Sequence, residues 1–352
     1  MAASTSATPP AATPPSRSSG ARWASRALAV GVRIGGLALA ILIVIVIFTL
    51  LSKPNTFLTL NNSLVIMRGM STIAIVSLGL LLVIVVGEID LSFGFMYGLA
   101  ATLISVSWIV WGWPIYVAIL LPFAVAIGVG AANAFLVTVV KIPSFIVTLG
   151  TGQLIFGTTL LVSNVQTLNP VYAPPGQEVP QNEIDLFFGL SNQDLPFDVP
   201  MQGLWMFGTA IMVGMLLSRT LFGFRLKAIG GSPLAARLAR LPITKYKFAA
   251  FIGAALLASL AAMLDFAFIG STQPNLGVSL LFPVFAAVII GGASLAGGRG
   301  TAIGTLLGAL LLAIIANGLA LLSAGAFLSN FVAGTVTIAA VVLDRFTQTL
   351  RR

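Results

Sequence analysis

The sequence predicts an all-α polytopic membrane protein with about ten transmembrane helices, and three observations carry that expectation. Of the 352 residues, 58% are hydrophobic and only 8% charged, whereas soluble domains carry about 25% charged residues. Apolar stretches of the roughly 20 residues that a span requires recur along the whole chain. The 18 basic and 9 acidic residues are sorted between loops, as retention of Lys and Arg on the cytoplasmic side demands. On a soluble chain a net charge of +9 would suggest nucleic acid. Here the aqueous segments are too few, and the partner that composition implies is the lipid bilayer.

Residues 1–26 are rich in Ala, Ser, Thr and Pro, with Arg17, Arg22 and Arg26 and no acid. Such a composition buries too little apolar surface to order itself, so a disordered basic tail is expected. The apolar run at 27–52 is too long for a signal-peptide core and meets Lys53-Pro54 without a small-residue cleavage site, which makes it an anchor. Segmenting at polar, Pro and Gly clusters places spans near 28–51, 64–86, 92–111, 114–140, 144–164, 202–219, 248–268, 277–296, 301–322 and 326–343. The fourth is long enough to be tilted or broken.

Loop charge gives the orientation. The basic loop at 220–247, flanked by Arg219, contains Arg225, Lys227, Arg237, Arg240, Lys245 and Lys247 and no acid, which places it inside. The segment 166–200 contains Glu178, Glu183, Asp185, Asp194 and Asp198 and no basic residue, which places it outside. With the tail inside, ten crossings return the chain to the cytoplasm. A transmembrane domain at 27–345 then precedes a short cytoplasmic tail, 346–352. Lys141 and Arg299 fall on the inner side by this count, while Lys53 and Arg68 fall outside. Residues 86–94 can be laid over 290–298 with a shared glycine frame, a weak parallel repeat of the kind transporters carry.

The chain has neither Cys nor His, which removes Cys/His zinc sites, thiol nucleophiles, disulfides and the Ser-His-Asp triad. No metal site and no catalytic residues are expected. None of the five lysines follows a glycine and precedes Ser or Thr, so there is no phosphate loop. Any nucleotide would be bound by another subunit.

Three segments could carry chemistry. Gly87-Glu88-Ile89-Asp90-Leu91-Ser92-Phe93-Gly94 sets two carboxylates between long apolar runs. An ionised acid at membrane depth costs at least about 2.5–3.5 kcal/mol and normally faces a cavity or a partner. A polyol substrate, a proton site or an internal ion pair would suit Glu88, Asp90 and Ser92, and so would headgroup depth with Asp90 capping the next helix. In the second segment Pro143 suits a helix start, and Ser144, Thr148 and Thr151 then share one face. That hydroxyl stripe could line a path for an uncharged polar solute, with Gln153 as contact and Phe145 as gate, or serve helix packing.

The third lies in the basic loop. Ser232 can cap a helix that begins at Pro233 and is stopped by Pro242. Leu234, Leu238 and Leu241 would form one apolar face, beside Ala235, Ala236 and Arg237. A helix this short wants a surface, either a protein groove or the lipid headgroups. Asp265 is an isolated acid expected near the wet outer end of its span. Gly297-Gly298-Arg299-Gly300 reads as a tight inner turn.

Together these segments resemble the membrane subunit of bacterial ABC importers of the ribose/xylose/galactose group. The family's Gly-Gly-Ile-Asp-Leu-Ser-Val-Gly is matched by residues 87–94, and its Pro-x-Phe-Ile-Val-Thr-Leu-Gly-Thr by Pro143–Thr151. Its Gly-Gly-Asn-x-x-Ala-Ala-Arg-Leu resembles Gly230–Leu238, and Gly-Gly-Thr-Ser-Leu-x-Gly-Gly-Arg-Gly-Thr resembles Gly291–Thr301. The four occur in the family's order, and the likeness covers roughly residues 55–345. Glu88 departs from the family's glycine, and Leu234 and Arg240 stand where Glu and Gly are usual.

The resemblance implies a permease subunit that binds no cofactor itself. It implies a second permease copy or close relative, a cytoplasmic ABC ATPase using ATP and magnesium, and a periplasmic sugar-binding protein. Its plan would be similar to that of the cobalamin importer's membrane subunit, and the helix after Ser232 would be the ATPase-coupling element. The solute would be a monosaccharide or polyol. The rival reading is a secondary carrier driven by an ion or proton gradient, with Glu88, Asp90 or Asp265 as the coupling acid.

Overall fold

The computed structural model describes residues 19–325 except Pro274, and scattered positions between 328 and 342; side chains are described from residue 35, apart from those of Asp194 and Phe197. It divides into a unit at residues 1–36 and a much larger one at 37–352. In the first, the described part is the start of helix α1 (Ser19–Leu51). That helix begins inside the segment read as a disordered tail, because the Ala- and Arg-containing stretch after Ser19 is compatible with helix.

In the second unit, α2 (Leu60–Val85) is capped by Thr59, whose hydroxyl accepts from the Asn62 N–H. After a six-residue turn, α3 (Ser92–Ser105) continues into a π-helical segment, Val106–Val110. The next span is interrupted at Ile119, between α4 (Ile115–Ala118) and α5 (Leu120–Thr138). Pro143 precedes α6 (Ser144–Ser163), as its fixed φ favours. The acidic segment folds into α7 (Gln181–Asn192) and a two-stranded antiparallel ribbon, β1 (Asp194–Leu195) and β2 (Val199–Pro200).

Helix α8 (Met201–Arg219) leads into α9 (Leu221–Gly231) and the short α10 (Pro233–Leu238). The 27-residue α11 (Ile243–Ile269) follows, then a 3-10 turn at Val278–Leu280 with α12 (Leu281–Ile290), and α13 (Ala302–Leu321).

Among the described residues, seven helices are long and apolar enough to cross a membrane; Gly35–Leu51 and Val278–Ile290 are apolar but shorter. The expected eighth span is therefore a 13-residue element, about 20 Å long against a hydrocarbon core of about 30 Å. The apolar letters at 277–296 include a turn at each end, which hydropathy counts as span. Half of the expected tenth span, 326–343, and the tail 346–352 lie outside the described residues.

The core lies on α2 and α3. In the most apolar 18-residue windows of Leu60–Val85 and Ser92–Val110, 83% and 94% of residues are buried, against 28% for Ile115–Thr138 and Ser144–Ser163. Helix α11 packs along α2, α3 and α5. The outer helices thus leave apolar faces free for lipid or another subunit.

The two ends of the bundle differ in charge. The turn after α2, the loop carrying α9 and α10, and the turn before α13 meet at one end. At the other, Glu183 of α7 accepts from Trp108 Nε1 (2.8 Å) and the Ile115 N–H (2.9 Å), tying the acidic segment to the 106–115 corner.

Candidate functional site

The site is built at the basic end. The carbonyls that would end α2 are closed by Gly87, at φ 88. The Gly87 N–H donates to Ile84 O (3.0 Å) and the Glu88 N–H to Val83 O (3.0 Å), the double bond of a Schellman ending. Two residues on, the Asp90 carboxylate accepts from both the Ser92 N–H (2.7 Å) and the Ser92 hydroxyl (2.6 Å). Asp90 thus supports the start of α3 from one residue before its N-cap, Leu91.

This turn docks on the hydroxyl face of α6. The Ile89 N–H donates to Ser144 Oγ (3.1 Å), and the Thr148 hydroxyl bonds Ser144 O at 2.8 Å, with Ile89 O at 3.4 Å. Asn133 Nδ2 donates to Ser92 Oγ (2.9 Å), and the Thr151 hydroxyl donates to Asn133 Oδ1 (2.8 Å). The two segments singled out in the sequence therefore form one polar network, with Asp90, Ser92, Ser144 and Thr148 all buried. Asn133, the only amide in the apolar α5, joins them; its isolation was the signal that could have found it.

Gln153 and Phe145 are not part of this network. Both are exposed on the far side of α6, as is Thr158, where they face outward from the described bundle. Glu88 forms an ion pair with Lys247, near the start of α11 and 159 residues away. Asp265 lies where three helices meet, accepting from the Tyr97 hydroxyl of α3 and from Thr72 Oγ1 of α2 (3.0 Å). It does lie about one turn from the end of α11 at Ile269, but these contacts hold it between helices and not in water.

The second glycine turn repeats the first. Gly292 is at φ 101, with its N–H on Ile289 O (2.9 Å) and the Ala293 N–H on Val288 O (3.1 Å). The Ala296 N–H then donates to Ser294 Oγ (3.3 Å) as the Ser92 N–H does to Asp90. The Gly298 N–H donates to Val85 O (2.9 Å), so both turns lie at the same end. Gly230 of the basic loop fits between them: a Cβ there would lie 2.0 Å from Val85 O and 2.7 Å from Gly298 N.

Beyond Gly230, Ser232 caps α10 by accepting from the Ala235 N–H (3.3 Å), with Pro233 in the first turn. Ala236 is buried and anchors it; Leu234 and Leu238 are 70% and 79% exposed. The helix ends at Leu238, sooner than Pro242 would require, because Arg240 turns left-handed (φ 53) and the Leu241 N–H closes back on Ala236 O (3.0 Å). Leu241 consequently leaves the expected face and packs against the core. Arg237 is exposed and Ala235 lies on the outer surface with it.

Burial raises the Asp90 carboxyl to about 6, against its hydrogen bonds from Ser92, which lower it. A folded pKa above the unfolded one contributes stability that is full below the unfolded value and lost as pH rises through the folded value. The Asp90 contribution should therefore fall from about pH 4 to about pH 6.5, by on the order of 3 kcal/mol. In Asp90→Asn that slope should vanish. Thermal midpoints in detergent from pH 4.5 to 7.5 should move in favour of the variant as pH rises; a constant offset would mean that Asp90 does not titrate there.

Residues 62–341 match the family described as branched-chain amino acid transport system / permease component. The chain is 32% identical over 315 residues to the probable ABC transporter permease protein y4mJ of Sinorhizobium fredii, covering 90% of each. It is 33% identical over 311 residues to the ribose import permease protein RbsC of Escherichia coli, over 87% of this chain and 92% of that one. With the xylose transport system permease protein XylH of Escherichia coli it shares 27% over 360 residues, covering 88% and 91%.

Proposed function

The chain belongs to this permease family, as a multi-pass permease subunit of an ABC importer in the inner membrane, and from that premise we propose that its cargo is a monosaccharide or polyol. The ribose and xylose permeases among its relatives support that cargo. So do the uncharged Gln153 and Thr158 on the exposed face of α6, which suit a neutral polyhydroxy solute better than a zwitterionic amino acid. In this reading residues 27–345 form a domain of about ten membrane segments, one of them the short 278–290 element, on the cobalamin-importer plan, with the basic end and both termini in the cytoplasm. A second permease copy completes the membrane part of the assembly, and a periplasmic binding protein delivers the sugar. ATP and magnesium are held by a separate ATPase, and the chain itself binds no cofactor.

The observation that carries the reading is the capped helix α10, which presents two exposed leucines from an otherwise basic loop. The contact of Gly230 with both glycine turns would pass movement of that loop to α2 and α13. The secondary-carrier alternative loses support because Glu88, Asp90 and Asp265 are all partnered inside the protein.

Gentle solubilisation of the tagged protein from native membranes, followed by mass spectrometry of what accompanies it, tests the assembly. A stoichiometric ATPase is expected, and the purified complex should consume ATP when a sugar-loaded binding protein is added. Recovery of the permease alone even after crosslinking, with solute movement by the isolated chain, would establish a self-sufficient carrier instead.

A further inference from the structure

Beside α10 at the basic end lies a cavity of about 750 Å³, within the roughly 300–1,000 Å³ of small-molecule sites. Thr138 and Lys141 line it from the end of α5, Arg237 and Leu241 from the loop, and Lys245 and Lys247 from the first turns of α11. Among the described residues no carboxylate lines it. Lys247 is neutralised by Glu88, but among the described residues no acid pairs with Lys141, Arg237 or Lys245, all of which are exposed. Lys141 is held at φ 70, a left-handed conformation that costs a lysine free energy and is kept only where its surroundings impose it.

The wall next to this charge is apolar. Phe135, Val139 and Val140, in and just after the last turn of α5, are 48%, 54% and 49% exposed. A cationic cavity that continues into an apolar helix face matches an amphiphile whose anionic head and hydrocarbon tail meet at the membrane surface. An acidic peptide or a free anion would match the cations and leave the wall uncovered. The site is distinct from the proposed docking face, since Arg237 and Leu241 line the cavity while Leu234 and Leu238 do not.

We propose that this cavity binds an anionic phospholipid, its phosphate among Lys141, Arg237 and Lys245 and its acyl chains along Phe135, Val139 and Val140. The inference does not depend on the cargo or on the ATPase. The cavity is part of the permease chain itself, so lipid binding is open to measurement on the purified protein.

Native mass spectrometry of the delipidated full-length chain, titrated with phosphatidylglycerol or with phosphatidylcholine of the same acyl chains, is the test. Phosphatidylglycerol should be retained at least ~10-fold better, with no displacement by excess inorganic phosphate. Removing two surface cations in Lys141→Gln/Lys245→Gln should lower its retention by about 30-fold. The pair Arg219→Gln/Arg299→Gln, equal in charge but outside the cavity, should leave it unchanged. If the first pair does not give monodisperse protein, Arg237→Gln/Lys245→Gln replaces it. Equal retention of the two lipids, an undiminished signal in the cavity variant, or an equal loss in the control pair would overturn the proposal. Displacement by phosphate would reassign the cavity to a free anion, and loss of ATPase capture with lipid retention intact would reassign it to an acidic protein segment.

Discussion

Leu238→Glu should abolish ATP-driven uptake while leaving membrane insertion and the folded state intact. The side chain is 79% exposed at the end of a six-residue helix, so the bundle loses no packing when it is changed. Its neighbour one turn back, Leu234, is 70% exposed, and together they give the charged loop an apolar surface of the kind that a protein partner covers. A carboxylate introduced at the centre of an apolar contact must be desolvated or the contact abandoned, and truncation of central anchors alone costs about 2–4 kcal/mol. ATPase capture should fall at least ~30-fold on that scale, and transport with it. Size-exclusion profile and thermal midpoint should match the parent. Uptake at the parental rate would show that the ATPase engages another part of the chain.

Gly230→Ala should have the largest effect on stability. The added methyl would meet Val85 O at 2.0 Å and Gly298 N at 2.7 Å, and these two atoms are themselves joined by a backbone hydrogen bond of 2.9 Å. Backbone cannot swing aside as a flexible side chain can, so the contact is relieved only by separating the turns. Overpacking costs about 1–3 kcal/mol and a buried backbone pair left unmade about 1–3 more. Gly231→Ala is the control, because its nearest neighbour would be 3.8 Å away and alanine favours the helix by up to ~1 kcal/mol. Yield of monodisperse protein and thermal midpoint should drop sharply for the first variant only. Equal midpoints would mean that the three segments do not meet at Gly230.

Much of the fold was legible because its causes are local. Span positions follow from runs of apolar residues, helix starts from Pro143 and Ser232, and the turn before α13 from its glycines, which take positive φ. The clustering of Lys141 with the 237–247 segment at one end agrees with the count from loop charges. The eighth span was overestimated because hydropathy does not distinguish apolar helix from apolar turn. Leu241 was placed on the wrong face because Arg240 adopts a left-handed conformation that no proline or glycine announces.

What the sequence by itself determined is the membrane class, the order of the spans, the polarity of the two ends and the motifs that link the chain to its relatives. Each depends on residues close together in the chain, where hydrophobicity, capping and charge act directly. Only the tertiary structure decided that Glu88 meets Lys247, that Asn133 joins Ser92 to Thr151, that Asp265 is held by Tyr97 and Thr72, and that Gly230 closes against two turns. Those contacts join residues up to 193 positions apart. They are selected by how closely helices and turns can approach, a property of the packed shape that no local pattern contains.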